Sequence, residues 1–239
     1  MSKVLSYSSR LLYVLVPLAI LLFMPSRANA FWLLGFCDAT TLPPGTFGAS
    51  AGTGGVLVKL GSPTKTTFTP FLPNVGFRAG VTDNFDVGYR LCQVALPFSS
   101  AGPTLGSEID GRYRLTAPRS PWQVAVVGGI AYSYLEISNV SKSAWSPGAD
   151  LIVSRQVTPK YTFISELRYL DTYIPTASGG SSSSHLQATG FDLGTKIRLA
   201  PQVNLIPEVG VFDYSGELLG KYADGIAMQY GACLSFRFR

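Results

Sequence analysis

The final fifteen residues narrow what this chain can become. Ile226, Met228, Tyr230, Ala232, Leu234, Phe236 and Phe238 are apolar, while the intervening Gln229, Gly231, Cys233, Ser235, Arg237 and Arg239 are small or polar. Successive side chains of a β-strand point to opposite faces, so this stretch predicts a strand with one oily side and one wet side. Such a strand suits a wall between lipid and water, the situation of a transmembrane β-barrel.

The other end of the sequence says where such a wall would be built. Lys3 and Arg10 give a basic start, Leu11 to Met24 is an almost unbroken apolar run, and Ala28-Asn29-Ala30 is a small-x-small cleavage site. Residues 1–30 therefore read as a secretory signal peptide, with the mature chain starting at Phe31. The apolar run is short for a membrane anchor. The leader holds Lys3, Arg10 and Arg27 and no acid, so the 19 basic and 14 acidic residues of the whole chain become 16 against 14. A balance of +2 leaves no electrostatic footprint for nucleic acid.

Only 14% of the residues are charged and 46% are hydrophobic, yet no stretch after the leader holds 18 consecutive apolar residues. Helical membrane spans are excluded on that ground. An exported, apolar, alternating chain can hide its oily faces inside a soluble β-sandwich or turn them outward to lipid. Of the three cysteines, Cys37 precedes the strands, and Cys92 and Cys233 fall on the polar faces of non-neighbouring strands. A disulfide needs α-carbons within about 7 Å, so all three read as small residues. Phe36 beside Cys37 argues against lipoprotein processing there.

The pattern divides the chain into a leader (1–30), a tail or short plug (31–45) and a barrel domain (46–239). Strands are expected at 46–60, 71–82, 84–95, 104–116, 121–136, 143–156, 160–173, 186–199, 202–214 and 225–239, each long enough for the ~9–11 residues that a tilted strand needs to span a bilayer. An even count puts both ends of the barrel domain on one side. The Gly-rich first segment has the weakest alternation, and without it eight strands are expected. Short connections at 82–84, 117–121, 157–160 and 200–202 alternate with longer ones at 61–70, 96–103, 137–142, 174–185 and 215–224. Short turns on one side and long loops on the other are the layout of an outer-membrane barrel. Tyr161 and Tyr169, Trp122 and Tyr132, and Tyr230 and Phe238 are spaced along their strands as rings at two membrane interfaces would be.

The stretch Gly80-Val-Thr-Asp-Asn-Phe-Asp-Val-Gly-Tyr89, together with the aromatic final strand, resembles the hairpins of small Gram-negative outer-membrane barrels of the porin-like superfamily. The resemblance covers residues 46–239. It implies an up-and-down antiparallel barrel in the bacterial outer membrane, with membrane lipid as surroundings. It also implies insertion by the barrel-assembly machinery, which reads the last strand. Such chains usually end on Phe, and here Arg239 follows Phe238.

Alternation assigns Arg78, Asp86, Arg90, Glu108, Asp110, Arg112, Arg114, Asp150, Glu166, Arg168, Asp192, Lys196, Arg198, Glu208 and Arg237 to the lumen. Buried charges must be paired or hydrated, so these predict an ion-paired interior that fixes register and fills a narrow barrel. Alternatively Arg90, Arg112, Arg114 and Arg198 draw an anion into a narrow conduit. The barrel is expected to pass or bind small solutes; the alternatives are a closed envelope-structure barrel and an outer-membrane hydrolase. For the last, the lone histidine, His185, would have to work with Ser183 or with Asp213 of the next strand. One His and scattered Cys give no metal-ligand spacing, and Gly52 to Gly55 lacks the Lys and helix of a phosphate loop. No cofactor and no catalytic residue is expected.

Overall fold

A computed structural model describes residues 35–61, 65–94, 104–137, 140–174, 184–218, 221–222 and 224–238. Within them lie ten long strands: β1 (Phe47–Leu60), β2 (Lys65–Thr82), β3 (Phe85–Val94), β4 (Thr104–Arg114), β5 (Trp122–Ile137), β6 (Val140–Gln156), β7 (Tyr161–Ile174), β8 (Ser184–Ala200), β9 (Val203–Leu218) and β11 (Gly225–Phe238). The two-residue β10 (Lys221–Tyr222) pairs antiparallel with the end of β9. Each long strand pairs antiparallel with its sequence neighbour, and β11 pairs with both β9 and β1. The seam runs in register from Phe47 opposite Phe238 to Leu60 opposite Gly225. The sheet therefore closes into an up-and-down barrel with no free edge, as a wall in lipid requires.

The two faces separate by solvent preference. Phe77, Tyr89, Ile109, Leu167, Phe191 and Val211 are large, apolar and exposed, and they alternate with inward residues such as Asn74, Asp110, Arg168, Asp192 and Phe212, which are buried. An apolar surface around the whole circumference is not one that water can cover. On β5 it runs from Trp122 to Tyr132, and Tyr132 stacks on Trp145 with ring centroids 4.7 Å apart. Those eleven positions, on a strand tilted by about 40°, match the apolar band of about 25 Å found on such barrels. On β11 the apolar face continues past Tyr230 to Met228 and Ile226, so Tyr230 does not mark its edge.

Two segments expected as loops are largely paired strand. β2 begins at Lys65 rather than at 71, because Pro70 sits where the ladder to β1 slips between Gly54 and Val56. Such a bulge tolerates a residue that has no N–H to give. β5 and β6 pair as far as Ile137 opposite Val140, which takes up most of the expected loop at 137–142. Above the apolar band the outward faces of β7 to β9 turn polar, with Asp171, His185, Asp213 and Glu217.

Candidate functional site: a lumen filled by the chain's own N-terminal segment

Residues 35–46 enter the barrel from the end that carries the short turns 83–84, 115–121, 157–160 and 201–202. The segment turns at its mouth: Thr46 N donates to Pro43 O (3.1 Å), with Gly45 at φ 71°. Gly80 and the segment exchange two backbone bonds, Gly80 N to Thr46 O (2.9 Å) and Gly45 N to Gly80 O (3.2 Å). Gly80 must be glycine here, since a β-carbon would strike the carbonyl oxygens of Pro43 and Leu42. Thr41 Oγ1 adds a bond to Asp83 O (2.8 Å).

Deeper in, the wall binds the segment's backbone at every third residue. The amides of Phe36, Ala39 and Leu42 donate to Glu208 Oε2 (2.8 Å), Ser154 Oγ (3.2 Å) and Asp86 Oδ2 (2.8 Å). The carbonyls of Gly35 and Asp38 accept from Arg90 Nη2 (3.0 Å) and Arg112 Nη1 (2.6 Å). The Asp38 carboxylate meets Lys196 in an ion pair. Burial alone would raise this carboxyl, but Lys196 and Arg112 outweigh it and hold it below the usual carboxylate range. Ala39 packs into an apolar patch of Ala125, Val127, Ile152, Ile164 and Ile206, with Cys37 against it.

The tip of the segment is tight. Phe36 adopts φ 51°, a left-handed conformation that a bulky residue pays for with about 1–3 kcal/mol of strain. Its ring lies against Gly231, where a β-carbon would come within 2.7 Å of it. Gly35 abuts the Glu166 carboxylate closely enough to leave no room for a side chain.

The remaining lumen charges largely bind one another. Arg112 reaches both oxygens of Asp86 (3.2 and 2.6 Å), Arg78 bridges Asp86 (2.6 Å) and Asp110, and Arg114 holds Asp83 O (2.9 Å) and Asn84 Oδ1 (2.7 Å). Arg168 on β7 lies 3.0 Å from Asp150 on β6 and reaches Glu108 on β4 at 2.9 Å, a link across the lumen. Among the described residues, Glu166, Asp192 and Glu208 keep oxygen atoms with no hydrogen-bonding partner. Arg198 and Arg237 share the inward parity of their strands but sit exposed at the short-turn rim, because β8 and β11 run past the enclosed part.

The enclosed basic residues are Arg78, Arg90, Arg112, Arg114, Arg168 and Lys196, six formal positive charges. Asp38, Asp86, Glu108, Asp110, Asp150, Glu166, Asp192 and Glu208 give eight negative ones, so the balance is 6 − 8 = −2. Arg90, Arg112 and Arg114 are engaged with the segment or the wall, and Arg198 is outside the enclosure.

One cavity of about 130 Å³ remains beside the segment, lined among others by Cys37, Asp38, Thr40, Arg78, Arg90 and Arg237. That is well short of the roughly 300–1,000 Å³ of ordinary ligand pockets. The three cysteines are free. Among the described residues no group of three or more His, Cys, Asp or Glu could hold a metal ion. His185 Nε2 lies 2.6 Å from Asp171 Oδ1 on the outer face. Asp213, the partner expected for it, stands opposite Thr189, whereas His185 faces Glu217 in the ladder. Ser183 lies outside the described residues.

Position in the alternation gave the inward charges, but nothing in the sequence announced the docking of residues 35–46. Its one legible trace is Asp38, a lone acid in an otherwise uncharged stretch from Phe31 to Lys59.

Comparison with known proteins adds the class. No known protein family matches the sequence, and no curated protein does. Among solved structures, an outer-membrane channel of Pseudomonas putida F1 aligns over 86% of this chain and 100% of its own, with 12% identity and a TM-score of 0.52. Neisserial surface protein A aligns over 81% and 99% at 14% identity and 0.39, and the NanC porin over 79% and 98% at 14% and 0.39. At such identities the first likeness shows the fold alone, and the other two add nothing to the argument. The fold is that of outer-membrane β-barrels.

Proposed function

We propose that this chain is an integral outer-membrane barrel that serves passage of small solutes, held shut at rest by residues 35–46 and opened when they withdraw. The observation that carries this reading is how the segment is held. Its contacts with the wall are mainly hydrogen bonds and one ion pair, which water can replace, and its tip holds a strained Phe36. A permanent filling would more naturally be apolar and relaxed. Once the segment and its Asp38 are gone, the lumen keeps six basic and seven acidic residues (6 − 7 = −1), a formal excess of one acid that supports a weak preference for cations over anions. Among the described residues His185 faces outward beside Asp171, away from Asp213, which does not favour hydrolysis.

Planar-bilayer recording tests the reading. The mature chain is expected to give few or no discrete steps. The same chain without residues 31–46 is expected to give stable, salt-dependent steps whose reversal potential in a salt gradient favours cations. A folded deletion variant that stays electrically silent would overturn the transport role and leave a closed envelope barrel.

A further inference from the structure

The two rims of the barrel differ in charge. Around the short-turn end, the three segments 115–123, 154–163 and 197–204 contain Arg119, Arg155, Lys160 and Arg198 and no acidic residue, and the exposed Asp83 stands apart in the turn between β2 and β3. All four are exposed, and none makes an ion pair among the described residues. Among the described residues at the opposite end, Asp213 and Glu217 are exposed and Asp171 is half-buried, with Lys59 the exposed cation there.

The four cations follow one another along this rim, from the turn before β5 through the end of β6 and the turn before β7 to the end of β8. Arg155 stands opposite Trp122 on one side and Phe163 on the other, and its guanidinium lies 5.0 Å from the centre of the Trp122 ring. The Lys160 ammonium lies 5.6 Å from the centre of the Tyr161 ring, and Lys160 O accepts a bond from Arg198 N (2.9 Å). Arg119 sits three residues before Trp122 in the adjoining turn. Trp122, Tyr161 and Phe163 are exposed on the lipid side, where the apolar band ends. The cations therefore stand at the level where hydrocarbon gives way to headgroups. A cation over an aromatic face keeps its outer side open to an anion.

We propose that this rim, from the turn after β4 to the end of β8, binds the phosphodiester headgroups of anionic phospholipids. The phosphate sits between Arg155 and Lys160 while its acyl chains lie along Trp122, Phe163 and the apolar wall, and Arg119 and Arg198 add to the positive potential of the rim. Charge complementarity and the aromatic floor together select a lipid over a soluble anion. The proposal depends on the membrane barrel and is independent of whether the lumen conducts.

The test is retention of lipid from mixed vesicles of phosphatidylethanolamine and phosphatidylglycerol. The mature protein is inserted, extracted in mild detergent, and its co-purifying lipid is measured. The wild type is expected to retain lipid enriched several-fold in phosphatidylglycerol over the vesicle. The triple variant Arg155→Gln/Lys160→Gln/Arg198→Gln should retain it at the vesicle ratio while still showing heat-modifiable migration. Each single substitution should lower the enrichment partway, which keeps the test decisive if the triple variant fails to insert. Retention at the vesicle ratio by the wild type, or undiminished enrichment in the variants, would overturn the proposal. Displacement of the lipid by millimolar inorganic phosphate would do so as well, since it would mark a soluble-anion site.

Discussion

A methyl group at residue 80 would meet two backbone carbonyls of the inserted segment, Pro43 O and Leu42 O, the latter at 2.6 Å. Neither oxygen can swing aside as the end of a side chain would. Gly80→Ala is therefore expected to loosen the segment while leaving the barrel wall in place. Overpacking of this kind costs about 1–3 kcal/mol, and each 1.4 kcal/mol is about tenfold in an equilibrium. With Cys92 and Cys233 replaced by Ser, Cys37 becomes the reporter, because it is half-buried within the lumen. Its reaction with a membrane-impermeant maleimide should speed up roughly tenfold or more in the Gly80→Ala chain. An unchanged rate would mean that the close approach at Gly80 does not hold the segment. Single residues also mark the limit of sequence reading. Alternation placed Arg112 inward and opposite Asp86 on β3, but its other partner, the carbonyl of Asp38, belongs to a segment 74 residues away in sequence. Local pattern carries no information about such a contact.

Strands were far more legible than the contacts between them. β3 to β9 and β11 fall close to where the two-residue period put them, because one face had to be oily along each membrane crossing. β2 starts earlier than its pattern suggests, since Pro70 looks like a terminator until the bulge opposite Gly55 is seen. The polar run before Trp145 was read as a loop for a similar reason: strand that projects beyond the lipid need not alternate in hydrophobicity. The Gly-rich β1 had the weakest pattern, yet it forms the closing seam with β11. That register can be checked chemically. Thr53 and Ala232 are direct partners across the seam. In a chain lacking the native cysteines, Thr53→Cys with Ala232→Cys should cross-link under mild oxidation. The product should run as a compact loop on a denaturing gel until reduced. Cysteines at Thr53 and Leu234, offset by two residues, should link poorly, and equal yields for the two pairs would count against the register.

At the scale of the molecule, two features fix what the protein can do. Its outer face is apolar around the full circumference, and its lumen is occupied by its own chain. The first was written in the alternation and could be anticipated. The second was left open by the sequence, because an uncharged, aperiodic stretch such as 31–37 fits a tail, an interfacial segment or a plug equally well. The outer face is the premise for everything else, and it can be interrogated through Trp122 and Trp145, both exposed on it near opposite limits of the band. With Trp32 replaced by Phe, these two residues report alone. In vesicles carrying lipids brominated along the acyl chain, their fluorescence should be strongly quenched, more by bromines near the headgroup than by bromines at the bilayer centre. Aqueous acrylamide should quench them weakly. Strong quenching by acrylamide with indifference to the brominated lipids would contradict a lipid-facing barrel.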